Sequence, residues 1–323
     1  MINFEQYLAE RKGSSVTQPK PKRKVNIEEL KQMIANKDSD IADVDVSEIT
    51  DMTELFEGSD FGGSWTADLS GWDTRNVVSM SGMFSNCGNL KEVALLHTEK
   101  VEKMDGMFRG CFDLTKVDLP HTENVLYMNS MFSGCTSLVD VHLPNTQSVT
   151  NAEGMFRECT NLKEIDLPHT DSLWTTNEMF QSCVSLTKVN IPNLSEVEHM
   201  SKMFEECKSL VKISIPNSPK AQTIAYMFHK CINLTEAKLT NTKSVRNMRG
   251  VFYDCISLES VVVPHIDSVT NFTMMFVDCV VLQQNFSKWN IRGKQFGSMF
   301  SGCTKMKEAK KDGNDYYPKG YEQ

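Results

Sequence analysis

No apolar run in the 323-residue sequence approaches the roughly 20 residues that a membrane-spanning helix needs. The first thirty residues also lack the apolar h-region of a secretory signal. A cytoplasmic or virion-associated location is therefore favoured over classical secretion. Basic residues are in deficit, with 34 Lys and Arg against 42 Asp and Glu and a net charge of −8. A duplex nucleic-acid binder needs the opposite balance. The GxGxxG, Walker, HExxH and GxSxG patterns are missing. No CxxC or Cys–His pair offers the close ligands of a tetrahedral zinc site. No cofactor and no metal is expected, and these absences weigh against catalysis.

What the sequence does have is a period. Its ten cysteines, Cys87, Cys111, Cys135, Cys159, Cys183, Cys207, Cys231, Cys255, Cys279 and Cys303, are each 24 residues apart. A phenylalanine stands three residues before every one, from Phe84 to Phe300, and Met precedes it except at Val251. Leu follows three residues after the Cys, with Met306 ending the series. Next come pairs such as Val117 and Leu119 or Ile165 and Leu167, often followed by proline, as at Pro120 and Pro168.

A fixed period of this length marks a solenoid, in which each unit covers the apolar face its neighbour cannot bury alone. The segment "LVDVHLP" alternates apolar and polar residues and ends in Pro, so it reads as a short strand. The return segment, "SVTNAEGMF", suits either a second short strand or a helical turn. The expected fold class is thus a repeat solenoid of parallel β-strands with short return strands or helical turns. Parallel strands lie about 4.8 Å apart, so ten or eleven turns give a rod on the order of 50 Å long.

Four regions follow. Residues 1–24 form a basic amino-terminal tail, with six Lys or Arg and two Pro within 11–24; setting that stretch aside leaves 28 basic against 42 acidic residues. Residues 25–50 are a helical cap, in which Asn26 and Glu29 make a capping-box pattern. The solenoid occupies 51–305, with a loop expected around Gly58, Gly62 and Gly63, and 306–323 read as a loose tail.

The Met-Phe…Cys…Leu pattern, with Val or Ile, Leu and Pro after it, resembles the BspA-like leucine-rich repeats over residues 51–305. The resemblance implies a leucine-rich-repeat fold and an adhesin-type role at a cell surface, although the family's export signal is missing here. The decapeptide "MINFEQYLAE" resembles a packaging leader of internal head proteins of large tailed phages, which implies a processing site at Leu8, Ala9 and Glu10.

Each chemical reading has a plainer counterpart. Stacked coils bring equivalent cysteines within reach of a disulfide. A buried thiol between Phe and Leu also serves as a small hydrophobe and weak donor, and that structural ladder is the preferred reading. The column His97, His121, Asn145, His169, Asn193, Asn217, Asn241 and His265 reads as turn residues after the strand. Asp118, His142 and Asp166, like Glu92, Lys116 and Asp140, read as lateral charge pairing on the strand face. Leu126 and Trp174 interrupt a column otherwise filled by polar residues, with Tyr127 alongside. Exposed Trp and Tyr favour binding hot spots, so these three are the candidate partner-binding residues.

The function expected is a non-enzymatic binding or adhesion module that offers an extended surface to a protein or glycan partner. A phage virion-associated or head-packaged repeat protein is the alternative, and an enzyme with a nonstandard site the competing class. Oligomeric state is not encoded in any motif.

Overall fold

The computed structural model describes residues 22–60, 69, 71–95 and 97–306, and the backbone of two strands at 309–312 and 315–318. The proposed processing site at Leu8, Ala9 and Glu10 lies outside the described residues, as does most of the expected glycine loop.

The chain enters through β1 (Arg23–Lys24), which pairs in parallel with β2 (Val44–Asp45). Between them lie helix α1 (Ile27–Ala35) and a 3-10 turn at Ser39–Asp43. The side chain of Asn26 accepts the Glu29 N–H at 2.9 Å, and Glu29 returns the bond to the Asn26 N–H at 3.0 Å. Two of the helix's orphan donors are thereby satisfied. Leu30, Met33 and Ile34 are buried in the apolar core at the amino-terminal end of the coils. Trp72 completes this end: its ring stacks on Phe56 at 5.9 Å, and its Nε1–H donates to the Ile41 carbonyl at 2.9 Å.

The body is a parallel β-solenoid of about 10 turns with little helix. One edge of the coils carries short strands β3 (Glu92–Ala94), β4 (Lys116–Asp118), β5 (Asp140–His142), β6 (Glu164–Asp166) and β7 (Lys188–Asn190). They continue as β8 (Lys212–Ile215), β9 (Glu236–Leu239) and β10 (Ser260–Val262). The strands form parallel sheets β3-β4-β5, β6-β7 and β8-β9-β10, paired 24 residues apart. In β4, Lys116 and Asp118 face solvent while Val117 is buried. That is the period-2 alternation of a strand with one buried face.

The return segment is neither a helix nor an extended strand. Each coil contributes a single bridging residue to an unbroken parallel column that runs from Asp51 through Tyr127, Thr175 and His199 to Gln295. A tight turn then carries the Met-Phe pair between two residues with positive φ, such as Gly82 and Asn86 or Tyr226 and Lys230. Backbone bonds from the Phe N–H to a carbonyl of the next coil lock each turn to its neighbour, as from Phe84 to Met107 at 2.9 Å.

These turns feed the core. The rings from Phe56 and Phe84 to Phe276 and Phe300 form one stack, with centroids 5.3–5.7 Å apart and planes within 12° of parallel. Such spacing is that of an offset stack. Every repeat Cys is buried, and its Sγ–H donates to the Phe carbonyl of the preceding coil, as from Cys183 to Phe156 at 3.0 Å. Phe286 and Trp289 pack onto Phe276 at the carboxy-terminal end.

The carboxy-terminal segment departs from the loose tail expected of 306–323. Strands β11 (Ala309–Asp312) and β12 (Asp315–Pro318) pair as an antiparallel hairpin with Asp312 opposite Asp315.

Candidate binding surface

Two lateral surfaces are open to a partner, and they differ in kind. On the strand face the outward residues pair with each other across coils: Lys116 with Asp140 at 3.2 Å, Lys188 with Glu164 at 3.5 Å and Lys212 with Glu236 at 3.0 Å. His142 meets Asp118 at 2.9 Å, whereas Asp166 takes the amide of Asn190 at 2.7 Å. These groups are exposed, so each pair contributes little, about 0.2–1 kcal/mol. Most charges of this face are thereby paired, although among the described residues Glu92 and Lys238 have no ion-pair partner and Val262 is 47% exposed.

The turn after the strand is a structural device. Thr98, Thr122, Thr146 and Thr170 are buried, and each hydroxyl donates to the backbone carbonyl of the His or Asn column one coil on, at 2.5–2.6 Å. The carbonyls of His121, Asn145, His169 and Asn193 thus do the joining. Among the described residues no group of three or more His, Cys, Asp or Glu is arranged to hold a metal ion.

The face beside the bridging column holds the candidate residues. The N–H of Leu126 bonds Glu102, that of Thr150 bonds Leu126, that of Trp174 bonds Thr150 and that of Glu198 bonds Trp174, all at 2.8–2.9 Å. This backbone ladder sets Leu126 and Trp174 in one line, two coils or about 10 Å apart, with Thr150 between them. Tyr127 occupies the neighbouring line, bridged to Lys103 and Asn151. Trp174 is 50% exposed and Tyr127 39%, while Leu126 is half-buried. The Trp174 ring meets the His199 ring edge-on at 5.0 Å, which fixes its orientation.

Sequence reasoning missed Val78. It is 38% exposed and lies in the same line, 24 residues before Glu102. Counting the period one step further back would have found it. Val78, Leu126, Lys100 and Asn124 line a hollow of about 390 Å³ on this face. A second, separate hollow of about 470 Å³, lined by Lys220, Gln222, Lys243, Arg246 and Glu198, lies further toward the carboxy terminus on the same ladder. The first hollow thus mixes Val78 and Leu126 with the charges of Lys100 and Glu102, whereas the second carries three cations against Glu198.

Also unforeseen is a half-buried polar network around His229. Its Nδ1 lies 2.7 Å from Glu205, which accepts the Gln181 amide at 2.5 Å, and Tyr253 closes edge-on against the imidazole at 5.0 Å. Burial alone would raise the Glu205 carboxyl. The bond from His229 and the charge of Lys202 outweigh that and hold it below its ordinary range.

Short parallel strands, a thiol–carbonyl ladder and one Phe, Cys and Leu per coil define a leucine-rich-repeat solenoid. The family model described as "Mycoplasma protein of unknown function, DUF285" matches residues 25–140, 127–241 and 222–315. The chain belongs to that family. None of the curated proteins matches this sequence. Among solved structures, a leucine-rich repeat protein from Bacteroides ovatus is similar at 20% identity with a TM-score of 0.53, over 76% of this chain and 68% of that one. That likeness shows the fold. A leucine-rich repeat protein from T. pallidum, at 22% identity, has a TM-score of 0.37 over 68% of this chain and 79% of its own. Another from Eubacterium ventriosum, at 24% identity, has a TM-score of 0.38 over 45% and 38% of the two chains. No helix among the described residues is long and apolar enough to cross a membrane.

Proposed function

We propose that the protein is a non-enzymatic binding module whose face beside the bridging column engages a protein or glycan partner through Val78, Leu126, Tyr127 and Trp174. The observation that carries the reading is the half-exposed Trp174 ring on backbone paired to both neighbouring coils. A rigid aromatic on a rigid ladder offers contact area at little ordering cost. The strand face supports the choice by contrast, because most of its charges pair with one another and, among the described residues, it carries no aromatic side chain comparable to Trp174. Of the hydroxyls lining these hollows, those of Ser148 and Ser244 donate to the backbone carbonyls of Glu123 and Pro219 and not to a general base, which favours binding over catalysis.

The test is to screen wild type and Trp174→Ala against arrays of immobilised glycans and purified proteins. Unchanged melting with loss of a wild-type binding signal supports the proposal. A large fall in melting temperature would instead show that the ring supports the core, and binding indifferent to the substitution would remove this face from consideration.

A further inference from the structure

Resting on that reading, we infer that the occupant of this face is a linear anionic glycan, one bearing carboxylate or sulfate groups. The chemistry comes from the carboxy-terminal part of the face. Lys220, Lys243 and Arg246 converge there on a hollow that also carries the hydroxyls of Ser244 and Ser268. Lys220 is held by Glu196 at 2.5 Å. Among the described residues neither Lys243 nor Arg246 has a carboxylate partner, although acids outnumber bases in the chain as a whole. Glu198, the acid lining this hollow, is turned to Gln222, whose amide it accepts at 2.7 Å. Two exposed cations left unpaired in an acidic protein, in a polar concave site, form an anion-complementary surface.

The geometry favours a sugar chain over an acidic peptide. Trp174, Glu198, Gln222 and Arg246 succeed one another on a single backbone ladder. Trp174 and Arg246 are therefore three coils, or about 14 Å, apart at about 4.8 Å per coil. A pyranose in an extended chain advances by a similar step, so successive rings meet successive coils. The first stacks on the exposed indole and a later one delivers its anion to Lys243 and Arg246. An extended peptide rises about 3.3 Å per residue and falls out of step with the coils. The ladder's backbone groups are also paired between coils, which leaves no open sheet edge along this face for a peptide strand to join.

The experiment titrates the full chain with a heparin hexasaccharide, hexagalacturonate, cellohexaose and hexaglutamate by isothermal calorimetry at two salt concentrations. Either anionic hexasaccharide binding, weakened by salt, establishes the chemistry, and comparing the two separates sulfate from carboxylate recognition. The double variant Lys243→Gln, Arg246→Gln is then expected to lose roughly threefold to tenfold in affinity with unchanged melting, the scale of two exposed ion pairs lost together. Failure of both anionic sugars to bind, equal binding of cellohexaose or hexaglutamate, or indifference to the double variant overturns the inference. The array screen with Trp174→Ala distinguishes this failure from failure of the binding-face reading: a Trp174-dependent ligand of other chemistry would leave the face standing and the anionic glycan refuted.

Discussion

The side-chain amide of Gln284 sits where the next strand would pair with β10: its Oε1 accepts the Val261 N–H at 2.8 Å and its Nε2 donates to the Val261 carbonyl at 2.9 Å. One glutamine thus stands in for a peptide group at the middle residue of the β10 edge, a place where unpaired backbone invites another chain. Gln284→Ala is expected to cost about 1–2 kcal/mol from the two lost bonds. It should also produce concentration-dependent association in sedimentation velocity. A variant that stays at the wild-type sedimentation coefficient at all concentrations would show that the edge is protected by other means.

The thiol ladder makes a chemical prediction. Burial pushes the Cys87, Cys135, Cys183 and Cys303 thiols from an ordinary 9.0 up to about 12, and the other six are raised as well. Thiolate is the reactive form, so the folded protein should consume no thiol reagent near neutral pH. In denaturant all ten cysteines should react. Cys183→Ser keeps a donor for the Phe156 carbonyl and should be milder than Cys183→Ala, which removes one of the two bonds that carbonyl accepts, the other coming from the Cys159 N–H, at about 0.5–1.5 kcal/mol. Equal losses in the two variants would show that the bond does not contribute.

Two positions in each turn have positive φ, and the residue there need not be glycine. Ser130, at φ 54°, occupies the same place in its turn as Gly106 and Gly250. Ser130→Gly should stabilise by roughly 0.5–1 kcal/mol, because the left-handed penalty exceeds the entropy a glycine adds to the unfolded chain. Gly250→Ala should be more damaging than Gly106→Ala: besides the strain, the added methyl would collide with the Tyr226 ring. Gly106→Ala meets only Arg109 Cβ at 3.8 Å and should cost less. Thermal denaturation of the three variants gives the order.

How much of this was legible follows from the same residues. The 24-residue period identified the solenoid, its Phe, Cys and Leu columns and the strand edge, because an apolar column in a stack must repeat at the coil length. The return segment stayed ambiguous because its one bridging residue and paired left-handed turns have neither a period of 2 nor of 3.6. Ser130, Glu178 and Tyr226 occupy those turn positions where glycine would have announced them. Of the binding face, Leu126, Tyr127 and Trp174 could be singled out as aromatic or apolar exceptions in a polar line. The convergence of Lys243 with Arg246, and of His229 with Glu205, depends on side-chain directions in irregular backbone, which spacing does not encode.

The pH response should be acidic. A carboxyl lowered by folding contributes stability that is complete above its ordinary value, 4.5 for Glu205, and is lost as the pH falls through its lower folded value. The wild type should therefore lose melting temperature below about pH 4.5, and Glu205→Gln should lose less over that interval. Parallel melting curves for the two proteins from neutral to acid pH would show that the contact with His229 and Lys202 has no net weight.

All of this rests on coils that stack in register around one line of sulfur atoms. Crystals measured at a long wavelength would show the sulfur anomalous signal directly. The account predicts ten cysteine peaks in a single buried row with a step of about 4.8 Å, running beside the phenylalanine stack. Peaks that scatter, break into separate rows or lie at the protein surface would contradict it.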